Sequence, residues 1–493
     1  MRIILHLKPQ SLYDSIHELV RMAYSGCEIA CEGEGDMDFY LELRLQENAA
    51  LLQAQICSRA GVAKREHSFP LQGSDRERLN LAKQQVRLFT YDLLCELSGQ
   101  NINPYGILTG MRPVKLVHRM LDQGLKPEVI AHRLQADYRV QPEKAALLVE
   151  IATNNRSFLW SAPQAAKWIS IYIGIPYCPS RCYYCSFPGA VLSDYETEIK
   201  PFLQALFTEI RALSSFLADL HLQVQCLYIG GGTPTVLSNP DLERLFAELR
   251  HCGFISPATM EITVEAGRPD TLDLSKLRLL EANGVNRICI NPQTMHDATL
   301  KAIGRHHDQK GVIQALQLAR EAGIEKINMD IITGLPGEGL TENTYTAEKI
   351  LQLQPDNISV HTLALKRGSL MAGMETAATQ KERTRQVEAG VKLFGLLFRQ
   401  AGYVPYYLYR QKYMKANMEN LGYSRPGSFC LYNIQVIEER QTIIGLGGGA
   451  ASKFIDLASG RLESFYNPKN PLAYCQTVEK LISRKVDKLQ ALN

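Results

Sequence analysis

Residues 169–189 read ISIYIGIPYCPSRCYYCSFPG. The first seven residues place isoleucine at every second position, with Ser170, Tyr172 and Gly174 between. That alternation predicts a β-strand starting near 169. Three cysteines follow within eight residues. The same strand type recurs downstream as LYIGGG, EITVEA, RICINPQ, INMDIITGL and NISVHTLAL, starting near 227, 261, 287, 327 and 357. Helical patterns fill the gaps. Strand–helix alternation with apolar strands predicts a parallel sheet joined by right-handed crossovers. Six units fall short of a closed eightfold barrel, so the expected class is α/β with a partial (β/α)6 barrel. Ligands then belong at the carboxyl ends of the strands.

Before this core, MDFYLELRLQ and AALLQAQICS alternate like antiparallel strands, and MRIILHL reads as an edge or first strand. Ser74 with Glu77 three positions on opens a long helix, whose expected inner face is Leu79, Ala82, Val86, Phe89, Leu93 and Leu97. A second helix starts near Pro113, and SAPQAAK reads as a linker. After Arg367 come a helical segment, PYYLYRQKYM and TIIGLGGGAASKF, a strand running into a glycine turn. The expected domains are an α+β module at 1–165, the barrel core at 166–370, and a small C-terminal α/β module at 371–493.

Composition narrows the function classes. Against 54 Lys and Arg stand 51 Asp and Glu, a net charge of +3 in 493 residues. So small an excess gives no broad footprint for nucleic acid. No run of about 18 apolar residues predicts a membrane span, and the first residues lack the apolar core of a signal peptide. A cytoplasmic location is expected.

Nine of the twelve cysteines are scattered, and Cys178, Cys182 and Cys185 are not. Cys27 and Cys31, four apart, read as small hydrophobes on one strand face, and Cys226 and Cys289 as strand hydrophobes. Three thiolates on one short loop, stiffened by Pro176, Pro179 and Pro188, can hold three irons of a cubic iron–sulfur cluster and leave the fourth iron open. A tetrahedral zinc site is the rival, although it needs a fourth ligand.

The CxxxCxxC spacing, with Tyr184 before the last cysteine, resembles the radical S-adenosylmethionine superfamily. GGGTPT at 230–235, VEAGRPD around Glu265, GVNRICINPQ ending in Gln293, Gly304-Arg305 and NMDIITGLPGE around Asp330 narrow the resemblance to the oxygen-independent coproporphyrinogen III oxidase family. GILTGMRPVKL, YYLYRQK, ENLGY and GLGGGAASKF are similar to its HemZ-like branch, and together these motifs span most of the chain.

The resemblance implies a [4Fe–4S] cluster on Cys178, Cys182 and Cys185. It implies one S-adenosylmethionine contacted by Tyr172 at the mouth of the first strand, Tyr184, Gly231, Glu265, Ala364 and Ala451. A second molecule would meet Gly232, Thr233, Gln293, Arg305 and Asp330. It further implies an oxidoreductase of porphyrin and haem biosynthesis, a tetrapyrrole substrate, an electron donor such as flavodoxin or ferredoxin, and a monomer. No acid–base residue is nominated. The alternatives are a radical methyltransferase and a haem-binding chaperone.

The chain departs from the family at several points. The oxidases carry a histidine where Gly174 stands and a further cysteine where Phe187 stands. Leu431-Tyr432-Asn433-Ile434 lacks the histidine pattern of the haem chaperones. His306 and His307 read as exposed helix-start residues. Tyr406, Tyr407, Tyr409 and Tyr413 are expected half in the core and half at the surface. As an alternative they wall a flat substrate, with Arg410, Lys412 and Arg112 near its carboxylates.

Overall fold

The computed structural model describes residues 1–24, 26–58, 61–187, 190–364, 369–371, 377–411 and 418–491, with side chains in 377–383 set aside. Pro188, Lys412 and Tyr413 lie outside the described residues. The chain divides into two compact units, Met1–Val149 and Glu150–Asn493. Among the described residues no helix is long and apolar enough to cross a membrane.

In the first unit a five-stranded sheet comprises β1 (Arg2–Lys8), β2 (Glu28–Ala30), β3 (Met37–Leu45), β4 (Ala49–Ser58) and β5 (Gly61–Pro70). The order is β2-β1-β3-β4-β5. β1 runs parallel to both neighbours, so it is the first strand but an inner one. Apolar residues of alternate positions pack against α1 (Tyr13–Ala23) and α2 (Asp75–Ser98). Ser74 and Glu77 close a reciprocal capping box on α2. Its buried face carries Ala82, Val86, Leu88, Tyr91, Leu93 and Leu94, whereas Leu79 and Leu97 are exposed at the two ends of the helix. Cys27 and Cys31 flank the three-residue β2 and are half-buried, so they do not share a strand face. Then come α3 (Val114–Asp122), α4 (Pro127–Tyr138) and α5 (Pro142–Asn155). The SAPQAAK stretch is no linker: it folds as α6 (Ala162–Ala165), with Ser161 and Gln164 as capping box.

The second unit is built on β6 (Trp168–Ile175), β9 (Gln223–Gly231), β10 (Glu261–Glu265), β11 (Arg287–Cys289), β12 (Lys326–Thr333) and β13 (Asn357–Thr362). These six are parallel neighbours in that order. Between β6 and β9, two-residue strands β7 (Tyr177–Cys178) and β8 (Ala190–Val191) pair with each other, and α7 (Tyr195–Asp219) follows. Helices α8 (Asn239–His251), α9 (Leu274–Ala282), α10 (Asp297–Ala302), α11 (Gln309–Glu321) and α12 (Leu340–Leu353) supply the remaining connections. The α/β class and the six barrel strands are as the sequence predicts.

The chain beyond extends the same sheet at both ends. After α13 (Ala377–Gln400), β14 (Val404–Tyr409) and β15 (Asn420–Ser424) add antiparallel strands next to β13. After α14 (Leu431–Glu438), β16 (Thr442–Gly447) pairs parallel to β6 and extends the run of parallel neighbours to seven, and β17 (Ala451–Ile455) and β18 (Leu462–Tyr466) add antiparallel pairs beside it. Tyr228 on β9 stacks on Tyr432 of α14 at 4.5 Å, and Asn433 donates to the Tyr406 hydroxyl of β14 at 3.4 Å. Strands far apart in the sheet thus meet through α14.

Two buried ionic groups fix this arrangement. Glu261 accepts from the N–H groups of Leu431 and Tyr432, both at 3.0 Å, at the start of α14, and pairs with Arg287 at 3.3 Å. Helix α15 (Pro471–Gln490) supplies Lys485, fully buried, whose Nζ reaches Glu209 of α7 and the Gly445 carbonyl, each at 2.5 Å. Glu209 also accepts from the Gly447 N–H at 2.8 Å and the Tyr474 hydroxyl at 2.7 Å. A buried charge pair is tolerated only when its remaining hydrogen-bonding capacity is met, and here the partners are the glycine strand itself.

Candidate functional site

β6 sends Ile169, Ile171, Ile173 and Ile175 into the core and turns Ser170, Tyr172 and Gly174 to the other face, as the period of two requires. Tyr172 lies in mid-strand, not at its mouth. It stacks on Tyr228 at 5.9 Å and Tyr432 at 6.0 Å. Pro176 ends the strand, and the cysteine loop begins.

The glycine loop after β9 clamps the root of that loop. Gly232 N–H donates to Ile175 O and Thr233 N–H to Tyr177 O, both at 2.7 Å. A Cβ on Gly232 would stand 2.4 Å from Tyr177 O and 2.9 Å from Cys178 Sγ, so only glycine fits. From the other side, Tyr183 N–H donates to Ile303 O at 2.9 Å, and Gly304 faces the Tyr183 ring. Tyr184 packs on Leu300, Ile303, Ile332, Leu335 and Leu363. Ala364 directly follows that cluster, and Ala451 opens β17 with its backbone against Gly445.

Each cysteine sulfur meets a different donor. Thr233 Oγ1 donates to Cys178 Sγ at 3.6 Å, the Phe187 N–H to Cys185 Sγ at 3.4 Å, and Arg268 Nη1 to Cys182 Sγ at 3.4 Å. Burial pushes the Cys178 and Cys185 thiols up, so in the free chain these sulfurs hold their protons. Among the described residues no three His, Cys, Asp or Glu side chains converge on one point as a single ion requires. A cubic cluster makes a different demand, because each thiolate meets its own iron.

Around the loop lie the strand-end polar groups. Glu265 accepts from the Tyr228 hydroxyl at 2.8 Å. Burial, with Asp330 adding to it and the Tyr228 hydrogen bond opposing, pushes its carboxyl up to about 7. Burial also acts to raise Asp330, but hydrogen bonds from His361 and Asn328 outweigh it and hold the carboxyl below its ordinary range. Gln293 has φ +70°, and its backbone is tied to β12 through Asp330 O and Ile332 N–H. Its Oε1 is buried without a partner, as is Nε of Arg305, whose Nη2 donates to Asn291 O. Arg305 lies beside Tyr184 and Cys182. The strand ends therefore bring together the three cysteines, the glycine loop, Glu265, Gln293, Arg305 and Asp330.

His306 is exposed, but His307 is not: it is buried, and burial with neighbouring Arg305 pushes its ring down to about 4. Tyr406 and Tyr407 are core residues, and Tyr409 packs against the same cluster, so the described members of that series form no open wall. Arg268, Tyr228, Tyr432 and His361 join the site without having been singled out in the sequence. Only Arg268 carried a signal, a cation in the turn directly after the Glu265 strand.

The radical SAM superfamily model matches residues 172–350. The oxygen-independent coproporphyrinogen-III oxidase-like protein HemZ of Bacillus subtilis is 36% identical over 486 residues, 98% of this chain and 96% of that protein. The chain belongs to the radical SAM HemN/HemZ/HemW family. The haem chaperone HemW of Bacillus subtilis is 35% identical over 197 residues, which is 40% of this chain and 51% of HemW. The structure of coproporphyrinogen III oxidase HemN from Escherichia coli covers 65% of this chain and 72% of its own, with TM-score 0.50 and 23% identity, and shares the fold.

As a radical SAM protein the chain takes a [4Fe–4S] cluster and S-adenosylmethionine as cofactors. The residues present fit both. Three cysteine sulfurs sit on one loop with a donor to each, and Gly232, without a side chain, lets the glycine loop close against Tyr177 and Cys178. The unpartnered Gln293 Oε1 and Arg305 Nε suit a ligand rich in donors and carboxylate.

The family's departures at two positions have local causes. A Cβ on Gly174 would stand 2.5 Å from Gly448 O, and one on Gly448 would stand 2.7 Å from Pro176 Cγ. The glycine turn after β16 therefore occupies the space that a histidine at 174 needs. Phe187, in place of a cysteine, contributes its N–H to Cys185 and leaves its ring 55% exposed.

Proposed function

We propose that the protein catalyses oxygen-independent oxidative decarboxylation of coproporphyrinogen III to protoporphyrinogen IX, within haem biosynthesis. The observation carrying this reading is the likeness to HemZ over 98% of the chain, which takes in both flanking modules as well as the core. We assign Cys178, Cys182 and Cys185 as cluster ligands. Tyr172, Tyr184, Gly231, Glu265, Ala364 and Ala451 are assigned to one S-adenosylmethionine, and Gly232, Thr233, Gln293, Arg305 and Asp330 to a second.

When bound, the two cofactors supply, by one-electron reductive cleavage, a primary carbon radical able to take hydrogen from an unactivated C–H bond. The chain does the rest. Thr233, Arg268 and the Phe187 N–H hold the sulfurs in place. Glu265, with its proton shared near neutrality, accepts from cofactor donors. Arg305 pairs with a carboxylate, and the buried walls of Tyr184, Leu335 and Leu363 exclude water from the reacting carbon. Each turnover takes one hydrogen atom from a propionate, after which carbon dioxide leaves and one electron passes to a separate electron acceptor, so that two turnovers convert two propionates to vinyl groups. The substrate is a tetrapyrrole, the electron donor a small protein such as flavodoxin or ferredoxin, and the chain acts as a monomer in the cytoplasm.

Anaerobic incubation of reconstituted protein with reductant, S-adenosylmethionine and coproporphyrinogen III tests the reading. Loss of two carboxyl groups supports it. A methyl gain would mark a methyltransferase, and haem binding without turnover a chaperone; either result rejects the oxidase.

A further inference from the structure

Of the three groups that donate to the cysteine sulfurs at hydrogen-bond distance, two are neutral, a threonine hydroxyl and a backbone N–H, and the third is the Arg268 guanidinium; the buried Arg305 guanidinium also lies beside Cys182, with its Nη2 turned to Asn291 O. Arg268 is 3% exposed, yet no strand geometry demands a cation there, since it lies in the turn after β10. Its head is fully committed to the cysteine loop and one carboxylate. Nη1 donates to Cys182 Sγ and to Ser180 O, both at 3.4 Å, Nη2 to Ser180 Oγ at 2.5 Å, and Nε to Asp270 Oδ1 at 3.3 Å. Asp270 is partly exposed, with 32% of its side chain open to solvent. Water screens the carboxylate's hold on the charge, whereas the buried Cys182 sulfur meets that charge with little screening.

We propose that Arg268 is a redox-tuning residue, which raises the reduction potential of the cluster through Cys182, and that Asp270 sets how much of the charge Cys182 feels. An oxidised [4Fe–4S]²⁺ core with three thiolates carries a net charge of −1. One electron from a donor makes it [4Fe–4S]⁺, with net charge −2. A buried cation at hydrogen-bond distance from one thiolate stabilises the second state more than the first, and hydrogen bonds to the sulfurs act in the same direction. Arg268 is thus a positioning and tuning residue, not one that touches substrate. The inference rests on Cys182 being a cluster ligand and is independent of which tetrapyrrole is bound.

The experiment is a mediated spectroelectrochemical titration of the full-length, reconstituted protein without S-adenosylmethionine, the electrode supplying the electron. Iron is counted on every sample. Arg268→Gln, loaded to the wild-type iron content, should be reduced to a tenfold lower ratio at a fixed potential, a shift of about 59 mV to more negative values for a one-electron couple. Arg268→Lys should recover most of that loss. Asp270→Asn should shift the other way, to a higher potential, because the charge near Cys182 is then unmasked. Opposite signs cannot come from loosened packing alone. An unchanged potential in loaded Arg268→Gln, or an unchanged or lowered one in Asp270→Asn, overturns the proposal. If Arg268→Gln fails to load, Asp270→Asn decides. A wild type that holds no iron would refute the ligand assignment instead, and the tuning role falls with it.

Discussion

Gly232 faces Cys178 so closely that an added Cβ would stand 2.9 Å from its sulfur. The backbone cannot retreat, because the Gly232 N–H is bonded to Ile175 O at 2.7 Å. Gly232→Ala should therefore cost about 1–3 kcal/mol of stability from overpacking and displace Cys178. A lowered melting temperature with iron well below the wild-type content is the expected outcome. Full iron content in a stable Ala variant would show that the space is not needed.

The cysteines can be tested against one another. Cys178→Ala, Cys182→Ala and Cys185→Ala should each lose the brown chromophore, against about four irons per chain in anaerobically purified wild type. Cys226→Ala and Cys289→Ala should keep it, since both are core residues of β9 and β11. Retention of a full cluster in any of the first three would sink the ligand assignment.

Glu265 gives a pH dependence with a definite sign. With a carboxyl near 7, faced by the Tyr228 hydroxyl, the Asp330 carboxylate and the His361 ring, it goes from roughly one-tenth to nine-tenths ionised between pH 6 and 8. Ligand donors favour the ionised form, so S-adenosylmethionine should bind roughly ninefold tighter at pH 8 than at pH 6. Glu265→Gln should flatten that profile. The stability contribution runs oppositely. The folded carboxyl is raised above its unfolded value of about 4.3, so its contribution is full below that pH and lost as pH rises through about 7. Equilibrium binding and denaturation across this range check both.

Arg305→Ala removes a charge-assisted pair with a ligand carboxylate, a loss of about 1.5–3 kcal/mol, or roughly ten- to a hundredfold in affinity for the second S-adenosylmethionine. Cluster content should stay unchanged. One molecule bound per wild-type chain, or unaltered binding by the variant, would reject the second site.

Much of this was legible in the chain. The βα rhythm gives the six core strands because parallel strands buried on both faces are written in isoleucine and valine, and CxxxCxxC is a local signal. What was not legible depends on residues distant in sequence. Tyr228 sits in an ordinary strand pattern and Tyr432 in a stretch with no helical signal, and they meet only because α14 folds between β9 and β14. Arg268 looks like a surface turn residue until the loop of Ser180 and Cys182 covers it. His307 follows an exposed neighbour, and its burial comes from packing that no local pattern encodes. Gly174 shows as a departure from the family in the sequence, but its cause, the carbonyl of Gly448, comes from the neighbouring strand's end, 274 residues further along the chain.

The Lys485–Glu209 pair also bears on when the protein can acquire its metal. Gly447, which backs Gly174 at the root of the cysteine loop, donates to Glu209, and Glu209 is paired with a lysine that the ribosome adds 307 residues after Cys178. At roughly 5–20 residues per second, the thiols emerge and wait roughly 15–60 seconds before the turn behind them can be anchored. Over that interval the three thiols stand in front of a turn that is not yet anchored, and a reducing environment keeps them unpaired.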